Sequence, residues 1–149
     1  MVKKILAGAL FGLFAVGVST QAFAQADVNE KRQQLMKGQG AAVKSIRGAI
    51  GSKDYATIEA KAKDLMGSSD RIVASFPKGS TTGKTRATAA IWEKPDVFAK
   101  DAKALATAAS ELADAAKAKN DDAIAAKMKS IAATCDTCHK EFRAAKYSE

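Results

Sequence analysis

The sequence predicts an all-α fold, an antiparallel up-down-up-down bundle of four helices. Apolar or small residues recur at alternating steps of three and four along most of the chain, which places them on one face of a helix. Aromatic residues make up only 6% of the chain and β-branched residues are sparse, whereas Ala and Lys, which favour helices, are abundant. Two of the three links between the periodic segments are short, so the neighbouring helices are expected to run antiparallel.

Four periodic segments define the predicted helices. They cover residues 28–50, 55–76, 98–116 and 124–142. Gly51 and Ser52 close the first segment, and Pro77 follows the second. Asp96, directly after Pro95, is the predicted N-cap of the third helix. None of the segments can bury its apolar stripe alone, so the four are expected to pack around one core.

The link between the second and third helices is long. It covers residues 77–95, or 19 residues, and long loops in compact domains are often functional. Its first part, rich in Gly, Ser and Thr, is typical of a loop. Residues 88–92 are expected to form a short helical turn that lays Ile91 and Trp92 against the core.

Residues 1–24 have the pattern of a secretory signal peptide. Two lysines precede an apolar run at residues 5–18, and an Ala-x-Ala pattern ends at Ala24, the expected cleavage site. The run has 14 residues, shorter than the roughly 20 of a spanning helix, which favours cleavage over a retained anchor. We therefore expect residues 25–149 to form the bundle in the periplasm, without stable membrane insertion.

The chain is basic, but its charge is dispersed. Removing the two signal lysines lowers the formal net charge from +8 to +6. Acidic residues are interleaved with the lysines, which is typical of solvated helix faces and not of a nucleic-acid-binding surface. The charge indicates at most a preference for partner proteins with acidic docking surfaces.

The run Cys135-Asp136-Thr137-Cys138-His139 is the motif for attaching one c-type haem. Each thiol forms a thioether with one haem vinyl group. On a helix, positions i and i+3 share a face, so both sulfurs reach one edge of the macrocycle. His139, the single histidine of the chain, then follows on the same side and is the expected proximal ligand of the iron.

Three other interpretations of this motif fit the sequence less well. A thioredoxin-like redox pair would need a βαβ context, and the sequence predicts no strands. A zinc site would need four ligands, and only three are at hand. A plain disulfide, the default for two exported cysteines, would leave the adjacent histidine unexplained.

With the motif on its last helix, the chain resembles the class II cytochromes c, the cytochrome c′ family. Phe142 and Arg143 follow His139 at the family's positions, and Arg32 stands four residues before the family's distal position. Residues 90–98 also resemble the segment that opens the third helix in this family. Mitochondrial-type cytochromes c carry the motif near the N-terminus instead. The resemblance covers the whole predicted mature chain and implies a four-helix bundle, which in many members forms homodimers through the first two helices.

The resemblance also implies which residue faces the open side of the iron. High-spin members have an apolar residue there and a five-coordinate iron, whereas a low-spin branch has Met. Met36 occupies the matching position in this chain. The positions of the methionines agree in part with this assignment. Met128 is on the same predicted helix as His139, so it cannot reach the opposite face of the haem. Met66 then remains as the rival of Met36. A Met that merely fills the core is the alternative.

Two arginines are candidate contacts of the haem propionates. Arg32 lies on an apolar stripe, and a buried charge needs a partner that a propionate would supply. Arg143 lies one turn after His139. Its charge either tunes the properties of His139 or of a propionate, or it complements the helix dipole. Phe142 is expected to pack under the haem, and Trp92 to join the core.

The predicted function is electron transfer by a soluble periplasmic carrier that is not an enzyme. Ligation by His and Met raises the reduction potential and suits a carrier. The alternative is a high-spin protein that binds nitric oxide or carbon monoxide at an open distal site. A peroxidase-like enzyme is a weaker option, because no distal histidine is available.

Overall fold

The structure, a computed structural model, describes the backbone of residues 17–148 and the side chains of residues 26–148. Most of the predicted signal peptide, residues 1–16, lies outside the described residues. Its last part, from Gly17 to Ala24, forms the start of the first helix. No helix in the described part of the chain is long and apolar enough to cross a membrane.

The predicted all-α fold is confirmed. The described residues form five α-helices and one 3₁₀-helix at Val73–Ser75. The α-helices are α1 (Gly17–Gly51), α2 (Tyr55–Ser69), the short α3 (Ala90–Glu93), α4 (Pro95–Lys117) and α5 (Asp121–Phe142). The four long helices make the bundle, and α3 is the helical turn expected in the long link, with Ile91 buried.

The order of packing leaves one pair of helices apart. α2 packs against α1 and against α4, and α4 packs against α5. Within the described residues, α1 and α5 make no close backbone contact, although they are neighbours around the bundle. A space therefore remains between the first and last helices.

The second helix is shorter than predicted. It ends at Ser69 instead of Phe76, and the chain continues through a turn into the 3₁₀-helix. The hydroxyl groups of Ser68 and Ser69 both donate to the carbonyl oxygen of Leu65, at 2.8 and 2.7 Å. Such side-chain bonds compete with the helical ladder and favour a helix end.

The predicted N-cap of the third long helix was wrong. Pro95 is the first residue of α4, and Lys94 holds the N-cap position without a side-chain hydrogen bond. Proline favours the first helical position because its missing N–H would be unpaired there anyway. Asp96 lies within the first turn, where its charge complements the helix dipole.

The core is built from small and branched side chains with an aromatic cluster at one end. Phe98 contacts both Phe76 and Phe142 edge to face, with ring centroids 5.1 Å apart in each pair. After α5 the chain turns back along the long link. The backbone N–H groups of Ala144 and Ser148 donate to the carbonyls of Arg86 and Thr85, at 2.7 and 2.8 Å.

Candidate haem site

A cavity of about 630 Å³ lies between α1 and α5, with α4 forming its inner wall. This volume is within the usual range for small-molecule and cofactor sites, roughly 300–1,000 Å³. Its lining is mainly apolar and includes Val43, Leu65, Ile72, Phe76, Ile91, Phe98, Ala102, Leu105, Ile131 and Phe142. The gap between the two helices is thus an apolar slot that opens at the surface.

The α5 wall presents the complete predicted attachment motif. Cys135, Cys138 and His139 all line the cavity and are half-buried. The helix turn puts positions i, i+3 and i+4 on one face, as the sequence predicted. The motif therefore faces the cavity, where both sulfurs and the imidazole could meet one flat ligand.

Neither cysteine takes part in a disulfide, and burial favours the neutral form of each thiol. Burial, with a smaller contribution from Asp136, raises the pKa of Cys135. Burial, followed by the carboxylate of Asp101, raises the pKa of Cys138 to about 11. Addition to a vinyl group consumes an S–H proton, whereas a zinc site needs thiolates. No cluster of three or more metal-binding side chains occurs among the described residues.

The surroundings of His139 favour its neutral imidazole. Burial lowers its pKa, and the nearby guanidinium of Arg143 lowers it further. The neutral ring has a free nitrogen lone pair, which is the form that binds a metal. Its environment therefore suits a ligand of iron.

Met36 is the methionine on the opposite wall. It lies on α1, is half-buried and lines the cavity. Met66, the rival from the sequence, does not line the cavity. Met128 does, but it lies on α5, the same helix as His139. The structure therefore brings Met36 to the cavity from α1, while His139 enters from α5.

Arg32 is buried, with 4% of its surface exposed, and binds the chain after α2. Nε donates to the carbonyl of Ser75 at 2.6 Å, and Nη1 donates to the carbonyl of Ser80 at 3.0 Å. Nη2 also donates to the hydroxyl of Ser80. The guanidinium stacks over Phe76, with Cζ 4.4 Å from the ring centroid.

These contacts supply partners for Arg32 that the sequence reasoning did not foresee. Burial lowers its pKa to about 10, so the group stays cationic at neutral pH. It also lines the cavity, and the propionate contact stays a prediction.

Arg143 lies just past the end of α5, in extended conformation, and is exposed. Its Nη1 is 3.4 Å from Nδ1 of His139. This proximity favours the interpretation in which the charge of Arg143 tunes the properties of His139.

Trp92 donates from Nε1 to the carbonyls of Phe76 and Pro77, at 3.2 and 3.1 Å, and does not line the cavity.

The rim of the cavity is mainly cationic. Lys37, Arg47, Arg86 and Arg143 line it, and none of them forms an ion pair within the described part of the chain. By contrast, six other lysines pair with acids elsewhere on the surface. Unpaired cations at the mouth of an apolar slot suit a flat apolar ligand that carries carboxylates.

Several lining residues were missed by the sequence reasoning. Arg86 and Tyr147 come from the long link and the C-terminal segment, and only the tertiary pairing of these segments brings them to the rim. Asp101 did leave a signal. It lies three residues after Phe98 and four before Leu105, so it shares the apolar face of α4.

The slot, the thiols, the neutral imidazole and the cationic rim together fit a haem. The apolar walls suit the macrocycle, and Cys135 and Cys138 are spaced for its vinyl groups. The rim cations suit the propionates, and the separation of α1 from α5 leaves room for the ring.

Comparison with known proteins agrees with this fit. The family model described as Cytochrome C′ matches residues 27–143. A cytochrome c′ from Rhodopseudomonas palustris is 32% identical over 151 residues, covering 96% of this chain and 99% of that protein. One from Rhodospirillum rubrum is 40% identical over 84 residues, which span 56% of this chain and 57% of that protein. A cytochrome c-556 from Agrobacterium fabrum is 34% identical over 145 residues, covering 95% and 94% of the two chains.

Solved structures show the same bundle. Cytochrome c′ from Shewanella frigidimarina superposes with a TM-score of 0.74 at 25% identity, covering 80% of this chain and 96% of that one. The nitric oxide complex of a mutant cytochrome c′ from Alcaligenes xylosoxidans gives 0.72 at 24% identity, covering 82% and 97%. The chain belongs to the cytochrome c′ family, whose members are haem proteins that bind haem c covalently.

Proposed function

We propose that this protein is a periplasmic electron-transfer protein that cycles its haem iron between Fe(II) and Fe(III). Cys135 and Cys138 carry the thioethers, His139 is the proximal ligand and Met36 is the distal ligand. The observation that carries the proposal is the arrangement of Met36 and His139, which line one cavity from two separate helices.

The residues around the cavity suit a carrier. The bound haem would supply the one-electron couple, and His139 and Met36 would each offer one ligand to its iron. The thioether of Met36 raises the potential relative to harder ligands. The apolar lining, which includes the buried side chains of Phe98 and Ile131, would surround the haem with a medium of low polarity, which also influences the potential.

Two arginines support the cofactor in this proposal. Arg32 offers a buried cation on the α1 side of the cavity, and Arg143 offers an exposed one beside His139. Each is a candidate contact for a propionate, since a guanidinium binds carboxylates with paired N–H donors.

The periplasmic location rests on the sequence of residues 1–24, which we propose is a cleaved signal peptide. Attachment of haem through two cysteines is compatible with export.

The partner is proposed to be a redox protein with an acidic docking surface. Lys37, Arg47, Arg86 and Arg143 surround the mouth of the cavity, where an electron would enter or leave. Opposite charges steer association and make its rate dependent on salt. A second copy of the chain is a further candidate partner. One protein of similar structure is a cytochrome c′ with a ligand-controlled dimer dissociation.

A second candidate function is the binding of nitric oxide or carbon monoxide at the distal face. The nitric oxide complex of the Alcaligenes xylosoxidans neighbour favours it, as does the five-coordinate iron typical of the family. In that case Met36 fills the distal pocket without binding iron, or gives way to the gas.

Visible spectroscopy of the purified holoprotein distinguishes the two functions. Spectra are recorded in the oxidised and reduced states, with and without carbon monoxide. Sharp, split low-spin bands that do not change with the gas support the carrier. A high-spin spectrum that shifts at once on adding carbon monoxide contradicts it and supports gas binding.

A further inference from the structure

A carboxylate oxygen is buried at the wall of the haem cavity without a hydrogen bond. It is Oδ2 of Asp101, on α4, and it has no partner among the described residues. Asp101 also forms no ion pair within that part of the chain. Buried polar atoms are nearly always paired, so an unpaired one calls for an explanation such as a redox role.

The position of Asp101 follows from the register of α4. Phe98 and Leu105 lie three residues before and four residues after it, and both are buried side chains that line the cavity. The carboxylate is thus placed on the apolar face of its helix. In such surroundings a charge is poorly screened, and its field reaches farther than that of a surface charge.

Asp101 shares its cavity with the attachment motif. Cys138 and His139 line this cavity from α5, and Asp101 lines it from α4. The carboxylate therefore lies at the wall of the space in which the haem would be held.

Other roles for Asp101 do not fit the structure. It does not belong to any cluster that could hold a metal ion among the described residues. The rim cations Arg47 and Arg86 line the same cavity but do not lie within ion-pair distance of it. It also cannot pair with a propionate, since both would carry negative charge.

We propose that Asp101 sets the reduction potential of the haem by holding a negative charge in its cavity. Reduction adds one electron to Fe(III) and gives Fe(II), with no bond made or broken, so the ferric site is more positive by one charge. The Asp101 carboxylate therefore stabilises the ferric state and lowers the potential. This inference rests on the proposed electron-transfer function.

The exposed charges at the rim act more weakly. Arg47, Arg143 and Asp136 are all solvent-exposed, so water and salt screen them. Asp101 is half-buried and its Oδ2 is buried, so its charge is screened less than theirs. Its effect on the potential should therefore depend less on ionic strength than the effects of these exposed charges.

The test is the reduction potential of the holoprotein at neutral pH, measured by spectroelectrochemistry. Asp101→Asn removes the charge with little change of shape, Asp101→Glu keeps it, and Asp114→Asn removes an exposed carboxylate elsewhere on α4. Asp101→Asn should shift the reduction equilibrium by about tenfold toward Fe(II), which is about 59 mV more positive for one electron. The Glu variant should stay near the wild-type potential, and Asp114→Asn should change it far less.

The proposal is overturned if Asp101→Asn shifts the potential no more than Asp114→Asn, or shifts it negatively. It is also overturned if Asp101→Asn changes the iron ligation seen in the visible spectrum, because the residue would then act on coordination instead of charge. A high-spin wild-type spectrum with the predicted shift intact would reject Met36 as a ligand and still support Asp101.

Discussion

The guanidinium of Arg143 lies beside the ring of His139, with Nη1 3.4 Å from Nδ1. A cation at this position disfavours a second positive charge nearby and lowers the pKa of the imidazole, after the effect of burial. When His139 binds iron, the same cation should favour Fe(II) over Fe(III).

Replacing Arg143 should therefore lower the reduction potential, opposite in sign to the effect of replacing Asp101. We expect Arg143→Gln to shift the equilibrium roughly threefold toward Fe(III), a modest change because the residue is exposed and screened. Potentiometric titration at low salt measures the shift, and added salt should reduce it. Arg143→Lys should retain most of the wild-type potential. An equal shift in the Lys and Gln variants would show that charge is not the cause.

Arg32 should be a major source of stability. Its side chain joins α1 to the chain after α2 through the carbonyls of Ser75 and Ser80. Arg32→Lys keeps a cation but lacks the planar set of N–H donors, so it should lower the free energy of unfolding by about 2 kcal/mol. Urea unfolding of the holoprotein measures this loss. Arg47→Lys, an exposed change on the same helix, should stay within about 0.5 kcal/mol of the wild type. Equal midpoints for the two variants would contradict the role of Arg32.

The turn between α4 and α5 contains a strained residue. Lys119 has a φ of 53°, in the left-handed region that favours glycine. Lys119→Gly should raise the free energy of unfolding by up to about 1 kcal/mol. Lys117→Gly, two residues earlier within α4, should lower it by about 1 kcal/mol. Thermal unfolding of both variants checks the pair, and a loss of stability in Lys119→Gly would show that the lysine side chain matters more than the backbone strain.

The periodicity of the sequence predicts the fold because each long helix has one apolar face. It predicts the ends of the helices less well. The apolar spacing continues from Leu65 through Ile72 to Phe76, yet α2 ends at Ser69. The apolar spacing continues past the end of α2 because the turn and the 3₁₀-helix still place Ile72 and Phe76 at the cavity. Spacing alone does not distinguish these conformations.

The candidate site, like the fold, could be predicted from the sequence only in part. The attachment motif is local, so the face that carries Cys135, Cys138 and His139 follows directly from the spacing on one helix. Met36 required the family resemblance, because a methionine next to an apolar stripe is usually core. The partners of Arg32 depend on a loop far along the chain, and no local pattern encodes them. Asp101 could have been singled out as an acid on an apolar face, by the argument applied to Arg32.

The account depends most on Met36, and its replacement provides the most direct test. The visible spectrum of the oxidised and reduced Met36→Ala holoprotein is compared with those of Met66→Ala, outside the cavity, and Met128→Ala, on the α5 wall. We predict that the wild type and both control variants are low-spin and do not respond to carbon monoxide. Met36→Ala should be high-spin and should bind the gas at once. A Met36→Ala protein with an unchanged low-spin spectrum would contradict the assignment of Met36 as the distal ligand.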